Sequence, residues 1–82
     1  MGNIIYDEDK MLEYLSDYFS DIIDDGYDSN TLKMKLTHAC AYYLSDGFFG
    51  LEDEAYKIAI DFVPTNMVYI IQWGREIRNE TV

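Results

Sequence analysis

From Glu8 to Asp25 the chain reads EDKMLEYLSDYFSDIIDD, in which Met11, Leu15, Tyr18 and Ile22 recur three and four residues apart with Leu12, Phe19 and Ile23 beside them. That spacing is the period of an α-helix carrying one broad apolar stripe, and such a helix must bury the stripe against another element. Asp7, Glu8 and Asp9 suit its start, because carboxylates there oppose the positive end of the helix dipole. Gly26 is a natural stop. A second helix opens at DSNTL, where Asp28, Ser29 or Asn30 is placed to cap, and runs through KMKLTHACAYYLS to Ser45. Leu32, Leu36, Ala39 and Tyr43, with Cys40 and Leu44, lie on its inward side. The stretch DGFFG at 46–50 then punctuates the chain. Phe48 and Phe49 are expected to plug the core from that loop, or to anchor a partner if exposed.

Residues 51–63 fit two periods. As a helix, Leu51, Ala55, Ile58 and Phe62 face inward while Glu54, Lys57 and Asp61 face water. As a strand, Tyr56, Ile58, Ile60 and Phe62 alternate with Lys57, Ala59 and Asp61. VPTN at 63–66 is then a turn and MVYIIQW a second strand. Against that, LEDEA reads as an acidic first helical turn, and Pro64 is equally at home near a helix start. Met67, Ile70, Ile71, Gly74 and Ile77 hold one helical face, with Arg75 and Arg78 towards its C-terminal end. The expectation is a single all-α domain over 1–82, a small bundle of about four helices. The alternative is an α+β fold with two N-terminal helices and a hairpin at about 56–73.

A chain of 82 residues buries only about 60% of its unfolded surface, so a homodimer or another partner would add useful burial. With 49% hydrophobic and 16% aromatic residues, it is far too apolar for a disordered chain. Sixteen acids against six Lys and Arg leave a net charge of −10. A field of that sign repels nucleic acid and attracts basic surfaces, so direct nucleic-acid binding is not expected. The single cysteine, Cys40, excludes an internal disulfide and fits a reducing compartment. No charged-then-apolar leader opens the chain and no apolar run is long enough to cross a bilayer, so the expected location is the cytoplasm. Gly2 invites N-myristoylation, but that motif needs Ser or Thr where this chain has Tyr6.

Catalytic and metal chemistry find little support. A calcium loop aligned on Gly26 would need an oxygen ligand at Ile23 and a glutamate at Leu32. His38 and Cys40 are two residues apart, about 200° around a helix, so they form neither a joint metal site nor a nucleophile pair. No glycine-rich phosphate loop follows a strand, and no serine elbow is present. Helical surface carboxylates lack the pocket that acid–base catalysis needs. We therefore expect no catalytic residues, no metal and no cofactor. Trp73 and the tyrosines read mostly as core or core-edge material, with Tyr14, Tyr27, Tyr42 and Tyr69 as candidates for exposure.

The acids themselves are the remaining feature. Asp9, Glu13, Asp17, Asp21 and Asp24 follow one another at four, four, four and three residues. Each four-residue step is about 6 Å along a helix axis, comparable with the separation of successive phosphates on a DNA strand. Asp25 and Asp28 extend this row past the helix end. Glu52, Asp53 and Glu54 offer a second row, to which Asp61 could add, and the ten acids other than Asp61 are the candidate partner-binding residues. Like charges four residues apart repel, and Lys10 is the only base before Lys33. A solvated face does not require such uniformity.

In size, acidity and rows such as EYLSDYFSDIIDD, the chain resembles the small acidic, mostly helical inhibitors that phages and mobile elements turn on host nucleic-acid enzymes. These include DNA mimics of the overcome-classical-restriction type and some anti-CRISPR proteins. The resemblance implies a stoichiometric, non-catalytic competitor for the DNA site of a basic partner such as a Cas effector or restriction enzyme. Acidic four-helix immunity proteins, which neutralise basic nuclease toxins, are also similar in size and charge, and IIQWGREIRN has something of their look. Their tyrosine pair before a proline is not matched, since Tyr42-Tyr43 is followed by Leu44. A protein–protein adapter or dimerisation module is the third class.

Overall fold

The computed structural model describes residues 4–46 and 50–81. They form three α-helices, α1 (Glu8–Ile22), α2 (Ser29–Ser45) and α3 (Glu52–Thr81), with a 3-10 turn over Ile23–Asp25 continuing α1. The all-α expectation holds, and the count of about four is corrected to three. No strand occurs among the described residues, so the 56–73 hairpin is also corrected. The expected core plug by Phe48 and Phe49 lies outside the described residues.

Helix α1 begins where its acids indicated. Asp7 is the N-cap, its side chain accepting from the backbone N–H groups of Asp9 and Lys10 at 2.9 and 3.3 Å. Gly26 ends the element in the left-handed region at φ 76°, which a side chain rarely adopts. Of the three cap candidates for α2, Asp28 takes the role, accepting from the Thr31 N–H at 2.8 Å. That hydrogen bond lowers the Asp28 carboxyl below its ordinary value of 3.8. Its stabilising share is therefore complete above the unfolded carboxylate range and is lost as pH falls through the lowered native value.

Helix α3 runs for 30 residues through Pro64. A proline inside a helix deletes one N–H, here the donor to the Ile60 carbonyl. Both Pro64 and Ile60 are exposed, so water can reach that carbonyl. The neighbouring carbonyls gain side-chain donors: Thr65 Oγ1 donates to Asp61 at 2.8 Å and Asn66 Nδ2 to Phe62 at 2.9 Å. VPTN is thus a serviced proline turn of one continuous helix.

The three helices run up, down and up. Tyr6 meets Phe62 edge-on and Asp24 meets Arg78, so α1 and α3 are parallel. The start of α1, at Tyr6 and Lys10, shares a groove with Tyr43 and Leu44 at the end of α2, and Ile22 and Ile23 share another with Ser29 and Leu32 at its start, so α2 is antiparallel to α1. α3 is the spine against which the two shorter helices pack, in a body of 43 × 23 × 21 Å. Met11, Leu15, Phe19, Leu36, Cys40, Ala55, Ala59, Phe62, Val63 and Ile70 form its core.

Two small residues set the approach of α1 to α3. Gly74 is buried, and a Cβ built on it would clash with Cδ2 of the Phe19 ring and come 3.1 Å from the Ser16 carbonyl oxygen. Ser16 is itself buried, its hydroxyl donating to the Leu12 carbonyl at 2.7 Å. Absence of a side chain at Gly74 is what lets Phe19 seat against α3.

Candidate partner-binding surface

With 100° per residue, the exposed part of α1 beyond its first residue, Glu8, is a wedge about 120° wide that holds Asp9, Lys10, Glu13, Asp17 and Asp21. The opposite side holds Met11, Leu15 and Phe19, buried against the other helices. Each four-residue step also turns by about 40°, so the acids climb roughly 18 Å while crossing the wedge from edge to edge. The row is a slanted band of carboxylates and not a straight line.

Ten acids were candidates, and the fold accounts for several of them. Asp28 is the α2 cap. Asp24 accepts from Arg78 Nε at 3.0 Å and from Nη2 on the same oxygen, an exposed pair that contributes little to stability but neutralises the charge. Glu52 accepts from the Gly50 N–H at 2.6 Å, and Glu54 from the Ile4 N–H at 2.8 Å. Glu54 is half-buried by that contact, whereas the helical reading had it facing water. Asp9 and Asp53 stand in first turns, where the dipole favours an acid.

Glu13, Asp17, Asp21 and Asp25 remain. All four are exposed, and none has a cation within salt-bridge distance among the described residues. Asp21 and Asp25 lie at the negative end of the α1 dipole, where the last turn holds no base. Folding alone would favour lysine there. Replacing Asp17 or Asp21 by Asn is accordingly expected to raise stability by a few tenths of a kcal/mol each at low salt. Thermal melts would show the gain shrinking as salt rises, because exposed charges are screened.

Glu52, Asp53 and Glu54 do not form a second row alongside the band. Parallel packing of α1 and α3 puts them at the pole where α1 also begins, close to Ile4. There the structure gathers Glu8, Glu54 and Asp61 with Lys57 around a groove of about 530 Å³. Sequence reasoning missed Glu8 as a member of this group, since only the parallel packing of α1 on α3 brings it there.

The aromatic candidates divide. Tyr27, Tyr42 and Tyr69 are exposed, at 40, 67 and 55%, and Lys35 Nζ lies 4.6 Å over the Tyr27 ring. Tyr14 is instead half-buried on Tyr43, with ring centroids 4.8 Å apart, and burial raises its phenol, with smaller contributions from Tyr42, Tyr18 and Cys40. Trp73 is 39% exposed and meets Tyr69 edge-on, so it is less enclosed than a core residue. Cys40 is fully buried, and desolvation pushes its thiol up to about 12, which keeps it protonated and a poor nucleophile. His38, two residues away, is exposed. Among the described residues no group of three or more His, Cys, Asp or Glu side chains is placed to hold a metal ion. Nor is any helix among them long and apolar enough to cross a membrane.

Comparison with protein-family models, curated proteins and solved structures finds no match to this chain.

Proposed function

We propose that this protein is a non-catalytic inhibitor that occupies the nucleic-acid-binding site of a basic host defence enzyme, such as a Cas effector or a restriction enzyme. Its acting surface is the α1 band of Glu13, Asp17, Asp21 and Asp25. The observation that carries this reading is the fate of the ten acids. Those with work in the fold cap, pair or sit at a favourable dipole end, whereas these four have no such role and stand next to like charges. A duplex presents one charge per ~1.7 Å of its axis, and a rigid helix with carboxylates every ~6 Å offers a basic groove a sparser version of that row. Long-range attraction would speed encounter with a positive surface. Exposed Tyr27 and its neighbours would supply the contacts that fix register.

The test is affinity capture from a host lysate with the full chain as bait. The expected result is recovery of a DNA-handling enzyme that added duplex DNA displaces. Recovery of a partner indifferent to DNA would sink the proposal.

A further inference from the structure

The outward face of α3 is apolar and uncovered. Tyr56, Ile60, Pro64 and Val68 follow one another at four-residue steps, with Met67 and Ile71 half-buried alongside. Tyr56 is 45% exposed, Ile60 49% and Val68 75%. A row of large apolar groups in water marks an interaction surface more often than solvated decoration. This face also differs in charge from the rest of the molecule. Its charged residues are Asp53, Lys57, Asp61, Arg75, Glu76 and Arg78, three of each sign, whereas the whole chain has a net charge of −10. A basic partner gains little here, but another copy can approach without meeting the acidic surplus.

The arrangement is also self-complementary. Asp61, Val68 and Arg75 are seven residues apart in each direction, and a seven-residue step drifts only about 20° around a helix, so all three share one side. A two-fold axis through Val68 would run two copies of α3 antiparallel. Each Asp61 would then face Arg75 of the other copy, on both flanks of an apolar centre. We propose that this face of α3 is the interface of a homodimer, a second copy of the chain packing antiparallel across Val68. Such an interface is isologous, and one surface serves both partners.

Salt dependence separates this surface from the acidic band. Two bodies of like net charge repel, and the two exposed Asp61–Arg75 pairs return little, so the dimer should tighten as salt rises. Capture of a basic partner by the α1 band should weaken over the same range.

Sedimentation equilibrium of the full chain decides the matter. At roughly 100 μM, a concentration that populates modest affinities, the wild type is expected to show a mass rising from monomer towards dimer. Val68→Arg should give a monomer throughout, with a thermal melt unchanged at dilutions where the wild type is also monomeric, since that side chain is already exposed. Asp61→Arg should weaken the dimer several-fold, and adding Arg75→Asp should restore it. A wild-type monomer at every concentration, or a dimer untouched by Val68→Arg, would overturn the proposal. Failure of the charge swap to restore association would overturn the antiparallel pairing. None of these substitutions touches the α1 band, so the dimer can fail while DNA-sensitive capture survives, and the reverse.

Discussion

Gly74→Ala is expected to destabilise the protein, although alanine is the better helix former. The added methyl group meets the Phe19 ring and the Ser16 carbonyl oxygen, and neither can move freely because both belong to the packed α1–α3 contact. Overpacking of this kind costs about 1–3 kcal/mol, and the gain in helix propensity returns only about 0.5–1 kcal/mol. The net loss is therefore on the order of 1–2 kcal/mol, and each kcal/mol lowers the melting temperature of a domain this size by roughly 4–8 °C. Combining Gly74→Ala with Phe19→Leu should recover part of the loss, since the pair shares one space and the two effects cannot add. A variant that melts at or above the wild-type temperature would show that the close approach of α1 to α3 is not required.

The second large effect concerns binding. Reversing Asp17, Asp21 and Asp25 to Lys replaces attraction by repulsion at three points of the proposed interface. With close interfacial charge pairs worth about 1.5 kcal/mol and upward, capture of a basic partner should fall by at least ~10²-fold. Folding should not suffer. The new bases at positions 21 and 25 lie at the C-terminal end of α1, where the dipole favours them, and Glu13 with Lys at position 17 becomes an attractive four-residue pair. Circular dichroism melts should therefore show equal or higher stability. A binding loss accompanied by lost helicity would point to damage and not to the interface.

The two prospective interfaces use different physics, and each is legible to a different degree. α1 could be read almost completely from sequence, because its apolar period is unbroken and its cap and stop are both strong signals. Met11, Leu15 and Phe19 are buried as that stripe required. α3 was ambiguous because Tyr56, Ile58, Ile60 and Phe62 satisfy a period of two as well as the helical one. Two further facts resolve it: Pro64 faces water, and Thr65 and Asn66 supply donors beside the missing bond. Neither follows from local propensity, which treats a proline as a break.

The acidic site shows the same division. Sequence spacing found the α1 band, but it could not tell Asp24, held by Arg78 from 54 residues away, from Asp25 beside it. Glu54 was likewise indistinguishable from a solvated acid until the chain preceding α1 returned the Ile4 N–H to it. Long-range partners are set by how helices pack, and one sequence contains no direct signal for them. What the fold adds is subtraction: ten acids become four that folding does not explain.

The most direct test of that surplus is a side-by-side capture from one host lysate, with wild type and the Asp17, Asp21 and Asp25 reversal as baits and duplex DNA titrated into each. The account predicts that wild type retains a DNA-handling enzyme, that duplex DNA displaces it, and that the equally folded variant retains none. Equal recovery by both baits, or a partner that duplex DNA leaves bound, would contradict it.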